Sequence, residues 1–196
     1  MRMRTVRVER KTKETNICLE LNLDGAGIFE GTTGIGFFDH MLDGFARHGF
    51  FDLCLEMEGD LQVDGHHTIE DLGIVLGTAL KEALKDKAGI RRYGSRILPM
   101  DETLVLAAVD LCGRPYLSFQ AEFSREKVGD METEMVREFF YALSYSCGMN
   151  LHIKVLDGSN CHHIIEAMFK AAAKALDEAV SIDERISGVL STKGSL

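Results

Sequence analysis

The chain has 196 residues, 45% of them hydrophobic, with 31 acidic against 22 basic side chains and a net charge of −9. That length supports one domain with a sizeable core, and the acidic balance argues against nucleic acid and for a small anionic ligand met by local cations. Five scattered cysteines without a CxxC pair read as reduced thiols of a cytoplasmic protein, not as a disulfide framework.

In chain order, strands and helices alternate. The start, Met1 to Val8, is basic but lacks an apolar h-region, so no signal peptide is expected, and no apolar run approaches the ~20 residues of a membrane span. Val6 to Arg10 reads as an edge strand. Ile17, Leu19, Leu21 and Leu23 are apolar at period two against Asn16, Glu20 and Asn22, the pattern of a half-buried strand. Asp24 to Gly27 makes a turn, after which Ile28-Phe29-Glu30 starts the returning strand. A glycine-rich approach from Gly31 to Gly36 leads into Phe37-Phe38-Asp39-His40-Met41 and a short helix to about His48. Leu53, Leu55 and Met57 alternate as a further strand, and a long helical pattern runs to about Lys87.

The rest of the chain repeats the plan. Leu104 to Leu111 is a nearly continuous apolar strand, ended by Gly113-Arg114-Pro115, with Tyr116 to Phe123 as its hairpin partner. Thr133 to Ser146 reads as a helix carrying Phe139-Phe140, an echo of Phe37-Phe38. Leu151, Ile153 and Val155 form a strand, and Asp157-Gly158 turns into a last helix reaching Val180. The expected fold is therefore one α/β domain over residues 1–196, built from two pseudo-repeats of about 1–92 and 93–196. Each supplies strands and helices to a two-layer α/β sandwich, with sheets on one side and helices on the other.

Each long helix opens on the same five-residue pattern, His-His-x-x-Glu: His66-His67-Thr68-Ile69-Glu70 and His162-His163-Ile164-Ile165-Glu166. Positions i and i+4 share a helix face, so His66 with Glu70, or His162 with Glu166, can grip one ion. The second histidine of each pair points roughly 100° further round. An exchange follows, in which each ion takes a His and a Glu from one pentad and the odd histidine from the other. Imidazole and carboxylate without thiolate suit Mn, Fe, Zn or Co, and an octahedral site favours Mn or Fe. Surface or core histidines are the bland reading of one such pentad, but two identical ones, holding four of the seven histidines, argue against it.

Several motifs together resemble the imidazoleglycerol-phosphate dehydratase family. They are Phe38-Asp39-His40-Met41-Leu42-Asp43, Asp64-Gly65-His66-His67-Thr68-Ile69-Glu70-Asp71, Asp101-Glu102, Asp110-Leu111-Cys112-Gly113-Arg114-Pro115, Leu151-His152-Ile153, the second pentad with Ala167, and Ser191-Thr192-Lys193-Gly194. The resemblance implies a duplicated α/β fold with left-handed crossovers, ribosomal S5 domain 2-like. It also implies a large hollow homo-oligomer, a 24-mer, with active sites between subunits. The implied reaction is the dehydration of imidazole glycerol phosphate to imidazole acetol phosphate in L-histidine biosynthesis, by way of a metal-bound imidazolate and a diazafulvene-like intermediate.

The resemblance further implies two Mn(II) ions per site. One takes His40, His67, His162 and Glu166; the other takes His66, Glu70, His163 and one more group. Relatives often carry a histidine before the second Phe-Phe pair, where this chain has Glu138, and His152 also matches a family position, so the eighth ligand is Glu138 or His152. Glu14 is the implied proton shuttle, with Glu70 and Glu166 beside it as catalytic carboxylates. Its plain reading is a solvated member of the charged run Lys11-Thr12-Lys13-Glu14. The implied substrate contacts are Glu14, His40, His48, His66, His67, Arg92, Arg114, His162, Lys170, Ser191, Thr192 and Lys193.

Three other classes compete. A dinuclear phosphatase would bridge its metals with an Asp-rich set, which is absent here. A ferritin-like protein uses Glu-x-x-His on a four-helix bundle, the reverse order, without strands. A non-catalytic shell protein scaffolded by metals differs from the enzyme in lacking turnover.

Overall fold

The computed structural model of the chain describes residues 4–194; Met1 to Met3, part of the start read above, lie outside them. The first half contains β1 (Thr5–Lys11), β2 (Thr15–Asn22), β3 (Phe29–Gly31), α1 (Gly36–Gly49), β4 (Asp52–Gly59) and α2 (His66–Leu84). The second contains β5 (Tyr93–Met100), β6 (Thr103–Asp110), β7 (Tyr116–Gln120), the short hairpin β8 (Lys127–Val128) and β9 (Met131–Glu132), α3 (Met135–Cys147), β10 (Asn150–Asp157) and α4 (Cys161–Val180). The sheets have matching orders, β1-β2-β4-β3 and β5-β6-β10-β7.

Within each half a sheet carries helices on one face. Ile17, Leu19 and Leu21 of β2 are buried on the helix side, as are Val105, Ala107 and Val109 of β6, while their alternate neighbours face outward. The halves meet helix to helix, α2 against α3 and α1 against α4. Gly73 and Gly77 of α2 permit the first approach: a Cβ on Gly73 would stand 2.8 Å from the Phe139 carbonyl oxygen. The two Phe-Phe pairs meet in this core. The Phe38 ring lies edge-on to Phe139 at 5.3 Å, and Phe139 stacks on Phe169 at 5.1 Å. All three are fully buried, so the repeat visible in the sequence becomes the contact that joins its copies.

Two expected hairpins take another course. β3 pairs parallel with β4, not with β2, because both edges of β2 are already taken by β1 and β4. The Asp52 carboxylate of β4 accepts the backbone N–H groups of Ala26 (2.8 Å) and Ile28 (3.1 Å), which steers the turn toward β4. Likewise Tyr116–Gln120 pairs parallel with β10, since β5 and β10 occupy both edges of β6. The Asn150 side chain donates to the Arg114 carbonyl at 2.7 Å and holds that turn at β10. Consequently α1 and α3 are crossovers between parallel strands. β5 has no sequence forecast: its burial does not alternate cleanly, and Pro99 fits an edge strand. The first long helix ends at Leu84, three residues before the expected Lys87.

Candidate active site

The second pentad and α1 build one cluster. Two carboxylates prepare α1. Asp39 accepts the Thr33 backbone N–H at 2.7 Å and both threonine hydroxyls, of Thr32 and Thr33, at 2.6 Å. Asp130, from the second half, accepts the first-turn amides of Gly36 and Phe37 at 2.7 and 3.0 Å. One turn on, His40 points to α4, whose start is capped by the Asn160 side chain accepting from the His162 amide at 2.9 Å.

There, donor atoms of His40, His162 and Glu166 all lie within 4.8 Å of one another. Glu166 Oε2 stands 3.1 Å from His162 Nε2 and 3.6 Å from His40 Nε2, while Oε1 is 2.6 Å from the Lys170 ammonium. Phe37 covers the apolar side, its ring 5.1 Å from that of His162. Burial pushes the Glu166 pKa up, but the Lys170 ammonium and the two histidines more than offset it and hold it below the usual carboxylate range. The pKa of His48, in the last turn of α1, is lowered by burial first and then by Lys170 and Lys174.

The odd histidines are held differently. His67 Nδ1 lies 3.0 Å from Asp60 Oδ2, and its Nε2 faces Glu14 Oε1 at 3.9 Å. His163 Nδ1 lies 2.8 Å from Glu102 Oε2, and its Nε2 faces Asp101 Oδ2 at 3.7 Å. The Asp60 hydrogen bond raises the His67 pKa, and the Glu102 hydrogen bond raises that of His163. The same bond, with the Asn160 amide, lowers Glu102 to about 2. His66 and Glu70 share a face of α2 one turn apart.

The cationic residues gather elsewhere. Arg92, in the left-handed region at φ 71°, pairs with Asp110 at 2.7 Å and donates to the Leu190 carbonyl at 2.8 Å. This ties it to the segment that continues into Ser191, Thr192 and Lys193. Asp110 pairs across the sheet with Asn150, while the second pentad follows the opposite end of β10, at Asp157. An eight-residue strand puts those ends about 25 Å apart. Arg114 lies in the β6–β7 turn, its carbonyl bonded to Asn150, at the end of β6 where Asp110 holds Arg92.

Within one chain, then, His40, His162, Glu166 and Lys170 come together, and Glu14 meets His67. His66, Glu70 and His163 form no cluster of three among the described residues, and neither Glu138 nor His152 joins one. Glu138 pairs with Arg137 at 3.0 Å. His152 lies on the outward face of β10, between buried Leu151 and Ile153, beside the Tyr116 ring. Asp60, Asp130 and the grip of Glu102 escaped the sequence reading. Each works through a partner that only folding supplies, as the 61-residue separation of Glu102 and His163 shows.

Imidazole and carboxylate donors at this spacing fit a divalent ion of the Mn, Fe or Zn type. The two odd histidines also fit: with a carboxylate at Nδ1, each keeps Nε2 available to a metal.

Comparison with known proteins bears on the same residues. The family model described as imidazoleglycerol-phosphate dehydratase matches residues 33–176, a span that includes both pentads, His40 and Lys170. The dehydratase of Lachnoclostridium phytofermentans is 69% identical over 193 residues, covering 98% of each chain. That of Acetivibrio thermocellus is 60% identical, covering 98% of this chain and 99% of its own. The crystal structure of the Staphylococcus aureus dehydratase superposes with a TM-score of 0.83 at 41% identity, covering 91% of this chain and 99% of that one. The Pyrococcus furiosus structure gives 0.83 at 37%, covering 96% and 100%. With a family match over most of its length and relatives at this identity, the chain belongs to the imidazoleglycerol-phosphate dehydratase family of hydro-lyase enzymes.

Proposed function

We propose that the chain dehydrates imidazole glycerol phosphate to imidazole acetol phosphate in histidine biosynthesis, with two divalent ions, Mn(II) by preference, in each site. The observation that carries this reading is the cluster of His40, His162 and Glu166, whose donor atoms stand ready within 4.8 Å. These residues, with His67, would hold one ion; His66, Glu70 and His163, with a further group, would hold the other. Such ions supply Lewis acidity, which lowers the cost of negative charge on an imidazole ring.

The remaining work falls to side chains. Glu14 is half exposed beside His67, suited to take a proton from the substrate carbon and return it to the departing hydroxyl as a positioned acid–base group. Lys170 keeps Glu166 anionic. Arg92, Arg114 and the Ser191 to Lys193 segment offer the cations and backbone donors that a phosphate needs. Arg92 sits about one strand length from the histidine cluster of its own chain. That separation supports a site shared between copies, in which one chain brings metal ligands and another phosphate contacts, within a large homo-oligomer. All five cysteines are free thiols, which suits a cytoplasmic setting. Among the described residues, no helix is long and apolar enough to cross a membrane.

The test is turnover of imidazole glycerol phosphate by purified protein as isolated, after chelation and after Mn is restored. Activity lost on chelation and regained with Mn is the expected result. Metal-loaded protein without turnover would overturn the reading.

A further inference from the structure

Each half holds the second histidine of its pentad by Nδ1, but with a carboxylate from a different place. Asp60, in the loop between β4 and α2, grips His67 with both oxygens, at 3.0 and 3.2 Å. Glu102, in the turn between β5 and β6, grips His163 at 2.8 Å. The matching turn of the first half, between β1 and β2, carries Glu14. Glu14 immediately precedes Thr15 of β2, as Glu102 precedes Thr103 of β6, and both threonines are buried. These two turn acids thus occupy equivalent places in the repeat yet approach opposite ring nitrogens. Glu14 faces His67 Nε2, while Glu102 takes His163 Nδ1.

Glu102 is built to hold. Its Oε1 accepts the backbone N–H groups of Asn160 at 2.9 Å and Ser159 at 3.3 Å, and the Thr103 hydroxyl at 3.3 Å. Its Oε2 accepts from His163. One side chain therefore ties the start of β6 to the start of α4 and to the imidazole ring. A neutral imidazole has a single N–H, and an ionised carboxylate can only accept, so the proton belongs on Nδ1. The Nε2 lone pair is then free to ligate.

We propose that Glu102 and Asp60 are positioning residues, which keep His163 and His67 as Nδ1–H tautomers with Nε2 presented to the metal. The proposal rests on the reading of both histidines as ligands. Glu102→Gln makes it sharp. The backbone amides of Ser159 and Asn160 require an acceptor, so the glutamine oxygen stays with them and its NH2 turns to His163. That NH2 donates to Nδ1, which moves the ring proton to Nε2 and blocks ligation.

The experiment combines solid-state 15N spectra of histidine-labelled, metal-free protein with calorimetric Mn titration, on wild type, Glu102→Gln, Asp60→Ala, His163→Ala and His67→Ala. Difference spectra against His163→Ala identify the His163 signals. The expected result is an Nδ1–H signal for His163 that becomes Nε2–H in Glu102→Gln, with Mn binding weakened about 10- to 100-fold and the fold retained. His163→Ala losing Mn while Glu102→Gln keeps both tautomer and affinity would overturn the positioning role alone. His163→Ala binding Mn as wild type does would overturn the ligand reading beneath it. Should Glu102→Gln fail to fold, Asp60→Ala decides, with His67→Ala locating the His67 signals: without an acceptor at Nδ1 the ring proton should move to Nε2, which faces Glu14, and Mn binding should weaken, whereas an unchanged tautomer and affinity would overturn the role.

Discussion

Glu166 keeps its partners on separate oxygens: Oε1 lies 2.6 Å from the Lys170 ammonium, and Oε2 lies 3.1 Å from His162 Nε2. Lys170 thus neutralises part of the charge that burial penalises without standing on the oxygen that faces the histidines. Lys170→Met should let burial raise the Glu166 pKa, so the anion needed for metal is lost at a higher pH than in wild type. Mn affinity should therefore fall below that of wild type in the acid range, where Glu166 begins to protonate, measured by calorimetric titration. Unchanged affinity across the acid range would remove this role.

Glu14 is half exposed and faces His67 Nε2 across 3.9 Å. Glu14→Gln should lower kcat by about 10²- to 10⁴-fold, the usual share of one acid–base group. Bound Mn per chain, measured by elemental analysis, should stay as in wild type. A parallel loss of metal would make Glu14 a ligand rather than a proton shuttle.

The raised pKa values of His67 and His163 set a pH dependence with a definite sign. In metal-free protein, their protonated forms stabilise the fold fully below the ordinary histidine value of about 6.5. That stabilisation fades as pH rises through the raised values. Glu102, lowered to about 2, stays ionised through this window, so histidine alone titrates there. Metal needs the neutral rings, so Mn binding should run the other way and strengthen as pH rises through the same window. Thermal melts of metal-free protein and Mn titrations at matched pH check both slopes; slopes of the same sign would contradict the assignment.

The close approach of α2 to α3 can be tested away from the site. A Cβ on Gly77 would stand 2.5 Å from the Leu143 carbonyl oxygen and 3.0 Å from the Cys147 amide nitrogen. Alanine normally stabilises a helix interior by about 0.5–1 kcal/mol over glycine. Here Gly77→Ala should instead destabilise by about 1–3 kcal/mol, since two backbones must separate. Urea denaturation measures the sign, and a stabilised variant would show that the helices have room to spare.

Much of this protein was legible in one dimension because its signals are local. Period-two apolar residues marked β2, β4 and β10, a nearly continuous apolar run marked β6, and the helical periodicity after each pentad marked α2 and α4, since side-chain direction along a strand or helix depends only on near neighbours. The repeat of Phe37-Phe38 in Phe139-Phe140 announced two related halves. His162 and Glu166 could be paired from their four-residue spacing. Partners of Phe29–Gly31 and Tyr116–Gln120 could not, because a strand bonds whichever edge is vacant, and vacancy is settled by the other strands of its sheet. Nor could sequence foresee that Asp130 caps α1 from the other half or that Glu102 grips His163. The same holds for Arg92, placed far from its own chain's histidine cluster. The chain's local chemistry determined which groups it carries, and only three-dimensional closure decided which of them meet, because contacts across long stretches of chain depend on how whole layers pack.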